Sequence, residues 1–317
     1  MLRAEANAPR YTGGPGGHYE SWFVRGNDPA AARAFWLRYT LFAPAGHPAD
    51  AVAELWAVVF DGDPVAVKAT MPVGDATLTG TSIRIGSATM TDDEVAGEAT
   101  SDGHTIAWRL RYAAGAQPLL LLPERLYTGG FPKAKALVSA PNVTMTGELT
   151  VDGVRVPVDG WVGSQNHNWG SRHTDQYTWG QVAGFDDDPD AFLECSTARL
   201  RLAGVLSPPF TPVVLRLSGE ELRCNSMTRM LRASARHTER SWAWRTSGRD
   251  ADNQPVRIDA EFSAPASAFV TLTYDNPPGG TKTCANTKIA RCRLTVARRD
   301  RTLTLTSAHR AAFEILS

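Results

Sequence analysis

Almost every stretch of this chain alternates apolar and polar residues with a period of two, and that pattern most restricts its fold. "HYESWFV", "AFWLRYTLFA" and "AVAELWAVVFDG" alternate near the start, and "GHTIAWRLRY", "NVTMTGELTVDGVRVPV", "YTWGQVAGF" and "AFLECSTARLRL" follow. The last third continues with "RSWAWRTSG", "VRIDAEFSA", "AFVTLTY" and "KIARCRLTVARRDRTLTLTS". Period-two runs are half-buried strands, whose successive side chains point to opposite faces of a sheet. Asp and Gly in "FDGD", "VDGV" and "SDGH" mark tight hairpins between the runs. Only Asp28 to Ala34 and Thr91 to Gly97 read as short helices. The expectation is an all-β chain of antiparallel barrels or sandwiches.

The strands number roughly twenty, more than one eight-to-ten-stranded barrel takes. A chain of 317 residues suits two domains. The expected division is a flexible N-terminus over 1–17, one β-domain over 18–185 and a second over 186–317. No linker marks the boundary. The polar stretch from Gly160 to Gln176 reads as the longest strand-free segment, placed at or near the junction. No repeat of fixed period is visible, which argues against a propeller.

Lys+Arg and Asp+Glu each total 33, so no net field draws the chain to nucleic acid or to an anionic membrane. The N-terminus has no apolar signal region, and the longest apolar run, Leu119 to Leu122, is too short to span a bilayer. A cytoplasmic location without a transmembrane segment follows as the expectation. The four cysteines read as reduced thiols, although Cys284 and Cys292 could approach each other across a hairpin.

The densest chemistry lies in "SQNHNWGSRHTDQYTWGQ", from Ser164 in the strand-free segment to Gln181 on the strand that follows it. His167 suits general acid–base work at neutral pH. Asn166 and Asn168 are suited to hold a substrate carbonyl, and equally to satisfy loop backbone groups. Trp169 and Trp179 can wall a pocket and stabilise a developing cation with their faces, or pack in a core. Alternation puts Tyr177, Trp179 and Gln181 on one face, and His18, Glu20 and Trp22 on another. Glu54 and Trp56 also share a face, and Glu194 lies on an aromatic-rich strand. A buried carboxylate at Glu20 or Glu194 would have a raised pKa and could donate a proton. Faces with single polar groups among aromatics would suit a mostly apolar ligand. The spacing of His167, His173 and Asp175 matches no compact metal motif. Neither a nucleophile elbow nor a phosphate-binding loop occurs.

"NHNWG" at Asn166 to Gly170, with "HYESWFVR", "FWLRYTLFAP", "FPKAKALVSAPNVTMTGEL" and "YTWGQVAGF", resembles the carotenoid 1,2-hydratase/AttH-like superfamily. Tocopherol cyclase-like proteins and fungal decalin-forming Diels–Alderases are similar to the same group. The resemblance runs from about Tyr19 to about Glu194 and weakens beyond. It implies two lipocalin-like β-barrel domains packed side by side, a hydrophobic cavity in or between them, and cofactor-free chemistry on large apolar molecules. The hydratases read approximately Tyr-x-Asp-His-Asn-Trp-Gly, and their Asp is the expected proton donor. Here those two positions are Ser164 and Asn166, and an amide supplies no proton at useful acidity. Three readings follow. One is a cyclase or isomerase of a terpenoid, prenylated or polyene metabolite, assisted by His167, Asn166, Glu194 or Glu20. The substrate would be held by Trp169, Trp179, Gln181, Tyr177, Asn168, Trp22 and Trp56. The others are a non-catalytic carrier of a lipid-like ligand, and a hydratase with a relocated acid. Oligomeric state is left open.

Overall fold

The structure is a computed structural model that describes residues 2–79, 82–113 and 116–317. It is built almost wholly of antiparallel strands, as the alternation predicts, and it divides into two compact units. The first takes 1–119, 130–173 and 273–282; the second takes 120–129, 174–272 and 283–317. Among the described residues no helix is long and apolar enough to cross a membrane.

In the first unit the sheet begins Val65–Pro72, Val52–Asp61, Arg33–Ala43, His18–Asn27, Val154–Gly170, Ala134–Val151 and His104–Ala113. It continues through Glu94–Ser101, Ala88–Thr91, Ser82–Ile85 and Ala76–Leu78. It curls until Val65–Pro72 lies against Glu94–Ser101, with the Lys68 N–H donating to Ser101 Oγ. One face fills the interior with Trp22, Phe35, Tyr39, Leu55, Trp108 and Trp161. Burial of such rings and branched chains supplies the stabilisation, at about 25 cal/mol per Å² of apolar surface removed from water. Gly163 lets two strands approach closely here: a methyl group at its Cα would overlap the Arg25 carbonyl oxygen.

In the second unit the sheet order is Glu220–Arg223, Val213–Leu217, Phe192–Arg199, Gln176–Ala183, Thr302–Leu316, Thr281–Ala297, Pro255–Ser263, Ser241–Arg249 and Ser234–His237. Its core takes Val182, Leu193, Cys195, Trp242, Phe262 and Phe313.

Several expectations change. Of the segment read as strand-free, Gly160 to Gly170 belongs to the 17-residue strand Val154–Gly170, which lies between His18–Asn27 and Ala134–Val151, and only residues 171–175 lie outside any strand. Gln165 and His167 on Val154–Gly170 are satisfied by residues far away in sequence, which no local pattern reveals. Gln176–Ala183 belongs to the second unit and pairs there with Phe192–Arg199 and Thr302–Leu316. Residues 28–32 form a turn into Arg33–Ala43, and Thr91 to Gly97 is a hairpin, so neither predicted short helix forms. Near the N-terminus Arg3–Asn7 forms a helical turn with Ala6 and Asn7 buried. All four cysteines are free thiols. Cys284 and Cys292 lie eight positions apart on one strand, roughly 26 Å at strand rise, which precludes a bond between them.

Candidate functional site

The predicted site residues separate into three groups, because neighbouring positions on a strand face opposite ways. Inside the first unit, Trp22 pairs in register with His167, and Glu20 with Trp169. His167 Nε2 lies 2.8 Å from Glu20 Oε1, and its Nδ1 lies 2.7 Å from the Ala6 carbonyl oxygen. His18 Nε2 lies 3.0 Å from Glu20 Oε2. The backbone N–H groups of Arg10 and Tyr11 donate to the same carboxylate at 2.8 Å each. The imidazole stacks on Trp22, with centroids 4.8 Å apart, and Trp22 Nε1 donates to the Asn7 carbonyl. Burial alone would raise the Glu20 pKa; the hydrogen bonds and charges of His167 and His18 more than offset it and hold the group at about 2. Glu20 is therefore an anchored carboxylate that ties the N-terminal segment across this end of the barrel. It is not a proton donor near neutral pH.

Asn166, Asn168 and Trp56 occupy the opposite face of the same sheet. Asn166 Nδ2 donates to Ser164 Oγ at 2.8 Å. Trp56 Nε1 donates to Glu54, which also holds Lys68 at 2.6 Å, and the Lys68 ammonium sits 4.5 Å from the Trp56 ring centre. Asn168 pairs in register with Ser21, and Ser21 Oγ accepts from Arg38 Nη2 at 2.7 Å. His173 is stacked on Tyr19 at 3.9 Å and bonds the Asp275 carbonyl. Burial, reinforced by the Arg38 charge, pushes His173 down to about 3, so its ring is neutral.

Glu194, Trp179, Gln181 and Tyr177 belong to the second unit. They lie on the sheet face turned away from its core cluster, since Val182, Leu193 and Cys195 take the core side. Gln181 stands directly opposite Glu194, and its Nε2 donates to Glu194 Oε2 at 2.8 Å. Trp179 Nε1 donates to Glu194 Oε1, also at 2.8 Å. Across the next two strands Trp179 pairs with Glu314, and Glu314 with Asn286. Glu314 Oε1 accepts from Lys288 Nζ at 2.7 Å and from Asn286 Nδ2 at 2.8 Å, while Tyr177 donates to Oε2 at 3.1 Å. The Lys288 ammonium lies 5.4 Å from the Trp179 ring centre, so the two polar clusters are continuous. Loss of water around its hydroxyl, together with the Glu194 charge, raises the Tyr127 pKa and keeps that phenol protonated.

The fold thus joins Glu20 with His167 and Trp22, and Glu194 with Trp179 and Gln181. It parts Asn166 from His167 by the pleat of one strand. His167, His173 and Asp175 each have separate partners: Glu20, the Asp275 carbonyl and the Arg201 N–H. Sequence reasoning missed Arg38, Asn286, Lys288, Glu314 and Tyr127. Arg38 had a signal, as the single cation in the apolar run "FWLRYTLF". Lys288 had none, because a register shift between Thr287 and Ala290 sets its direction. A groove of about 490 Å³ elsewhere on the second unit is lined by Trp244, Arg236, Arg245, Asp259, Glu261 and Arg293 among others, and includes no predicted site residue.

No protein-family model and no curated protein matches the chain by sequence. Solved structures do match by shape. Kievitone hydratase from Nectria haematococca aligns with TM-score 0.61 at 10% identity, over 100% of this chain and 92% of that one. An AttH-like protein from Nitrosomonas europaea aligns with TM-score 0.56 at 14% identity, over 95% and 92%. CghA aligns with TM-score 0.57 at 12% identity, over 95% and 88%. These identities speak to architecture and not to reaction. The chain shares the all-β fold of these solved structures.

Proposed function

We propose that the chain is a cofactor-independent enzyme that cyclises or isomerises a bulky, largely apolar metabolite of terpenoid, prenylated or polyene type. The observation that carries this reading is the Glu194 carboxylate, only 3% exposed, with one oxygen on Trp179 Nε1 and the other on Gln181 Nε2. Two neutral N–H donors fix the carboxylate beside an indole face that also meets the Lys288 ammonium. Such a group can accept a proton or steady positive charge as a chain folds against the aromatic surface, without reorganising. A buried Lys–Glu pair adds little net stability compared with apolar packing, so a second polar cluster on this face points to use rather than to fold. Kievitone hydratase and CghA share the architecture, which supports small-molecule chemistry on such a scaffold.

The test is incubation of the purified protein with an apolar extract of its source cells, followed by mass spectrometry of the released molecules. A product of unchanged mass and new retention time, lost in Glu194→Gln, is the expected result. A bound species released unchanged would make the chain a carrier. A gain of one water would make it a hydratase.

A further inference from the structure

Arg38 is a buried cation for which the described residues supply no counter-charge. It is 5% exposed and stands in register between Phe23 and Trp56, on the face of the first unit's sheet opposite its core. Among the described residues its hydrogen bond runs from Nη2 to Ser21 Oγ, a neutral hydroxyl that also touches Thr40 Oγ1 at 2.9 Å. Nε is buried with no acceptor among the described residues. The guanidinium carbon lies 4.6 Å from the Tyr274 ring centre and 5.7 Å from that of Trp36. Glu54, the carboxylate on the adjoining strand, is taken up by Lys68 and Trp56. Beside Ser21, Asn168 Oδ1 is also buried and has no donor among the described residues.

A buried charge without a partner is costly, and structures retain one where something else completes it. A lysine in such a place could shed its proton, whereas a guanidinium cannot. Rings on its faces leave the in-plane N–H edge as the binding direction, and that edge matches two oxygens of a planar anion. The neutral state of His173, set first by burial and then by the Arg38 charge, fits this picture.

We propose that Arg38, flanked by Ser21 and Asn168, seats the acidic group of a small molecule, a carboxylate or an ionised enol, whose apolar body lies along Tyr274 and Trp36. Asn168 Oδ1 accepts from a hydroxyl or N–H next to that group. The ligand is then an amphiphile with one acidic head, a narrower class than apolar metabolites in general. The assignment concerns binding and holds whether or not Glu194 serves a reaction.

The experiment compares laurate with methyl laurate, which has the same chain without the charge, by titration calorimetry of the full-length protein. Laurate should bind about 10- to 100-fold more tightly, as a charge-assisted pair in a buried setting provides. Arg38→Gln should abolish that preference, and Arg38→Lys should keep part of it. Thermal unfolding of ligand-free Arg38→Gln should match or exceed that of the native chain, because a buried charge has been removed. Equal binding of the two probes to the native chain, no laurate binding, or a preference that survives in Arg38→Gln would each overturn the assignment. The native-chain comparison decides the matter even if the variants fail to fold.

Discussion

Glu20 and His167 meet inside the first barrel across neighbouring strands, Oε1 to Nε2 at 2.8 Å, with both side chains fully enclosed. The other ring nitrogen faces the Ala6 carbonyl, so both imidazole nitrogens point at oxygen acceptors. Nitrogen-edited NMR should show a slowly exchanging His167 ring N–H held against these oxygens. Removal of residues 2–11 takes away the Ala6 carbonyl and should speed that exchange; a fast-exchanging ring in the intact chain would refute the pairing.

The same carboxylate sets the acid limit of the fold. Its native pKa of about 2 lies below the ordinary value of 4.5, so the native state binds the proton less readily than the unfolded chain. The contribution is full above pH 4.5 and fades as pH falls from there towards 2. A difference of that size is worth about 3 kcal/mol. Denaturant titrations at stepped pH should show Glu20→Gln less stable at pH 7 and with a flatter profile below 4.5. His18 and His167, which face this carboxylate, stay in place in that comparison.

The Lys288–Glu314 pair should behave as a coupled unit. Lys288→Met leaves Glu314 buried without its cation, at a cost of about 3–5 kcal/mol in chemical unfolding. Adding Glu314→Leu should restore most of that loss. Additive losses from the two changes would mean that the carboxylate finds other compensation from Asn286 and Tyr177.

The thiols should be silent in the folded chain. Burial pushes Cys195 and Cys292 far above the usual thiol range and Cys224 up to about 11, and Cys284 is fully enclosed. A chromogenic disulfide reagent should titrate no thiol in native buffer and four in guanidinium. A fast-reacting thiol in native buffer would contradict the packing.

Alternation along each strand determined much of this protein. It required an all-β chain of two units, and it placed His18, Glu20 and Trp22 on one face and Tyr177, Trp179 and Gln181 on another. The partnership of Gln181 with Glu194 needed one more step, a hairpin register that the intervening turn sets locally. Period two relates faces only to each other. Packing decided that Trp22 points into the first core while Trp179 points away from the second. It also decided that the polar run Ser164 to Gly170 is a strand, because its partners Glu20 and Ala6 lie 147 and 161 residues away. Arg38 shows the same limit: its sequence displays a cation in an apolar run, and only the tertiary structure reveals that no carboxylate among the described residues answers its charge. Hydrogen bonds and ion pairs act over a few ångströms, and the chain brings such distances about only after its strands have found their neighbours.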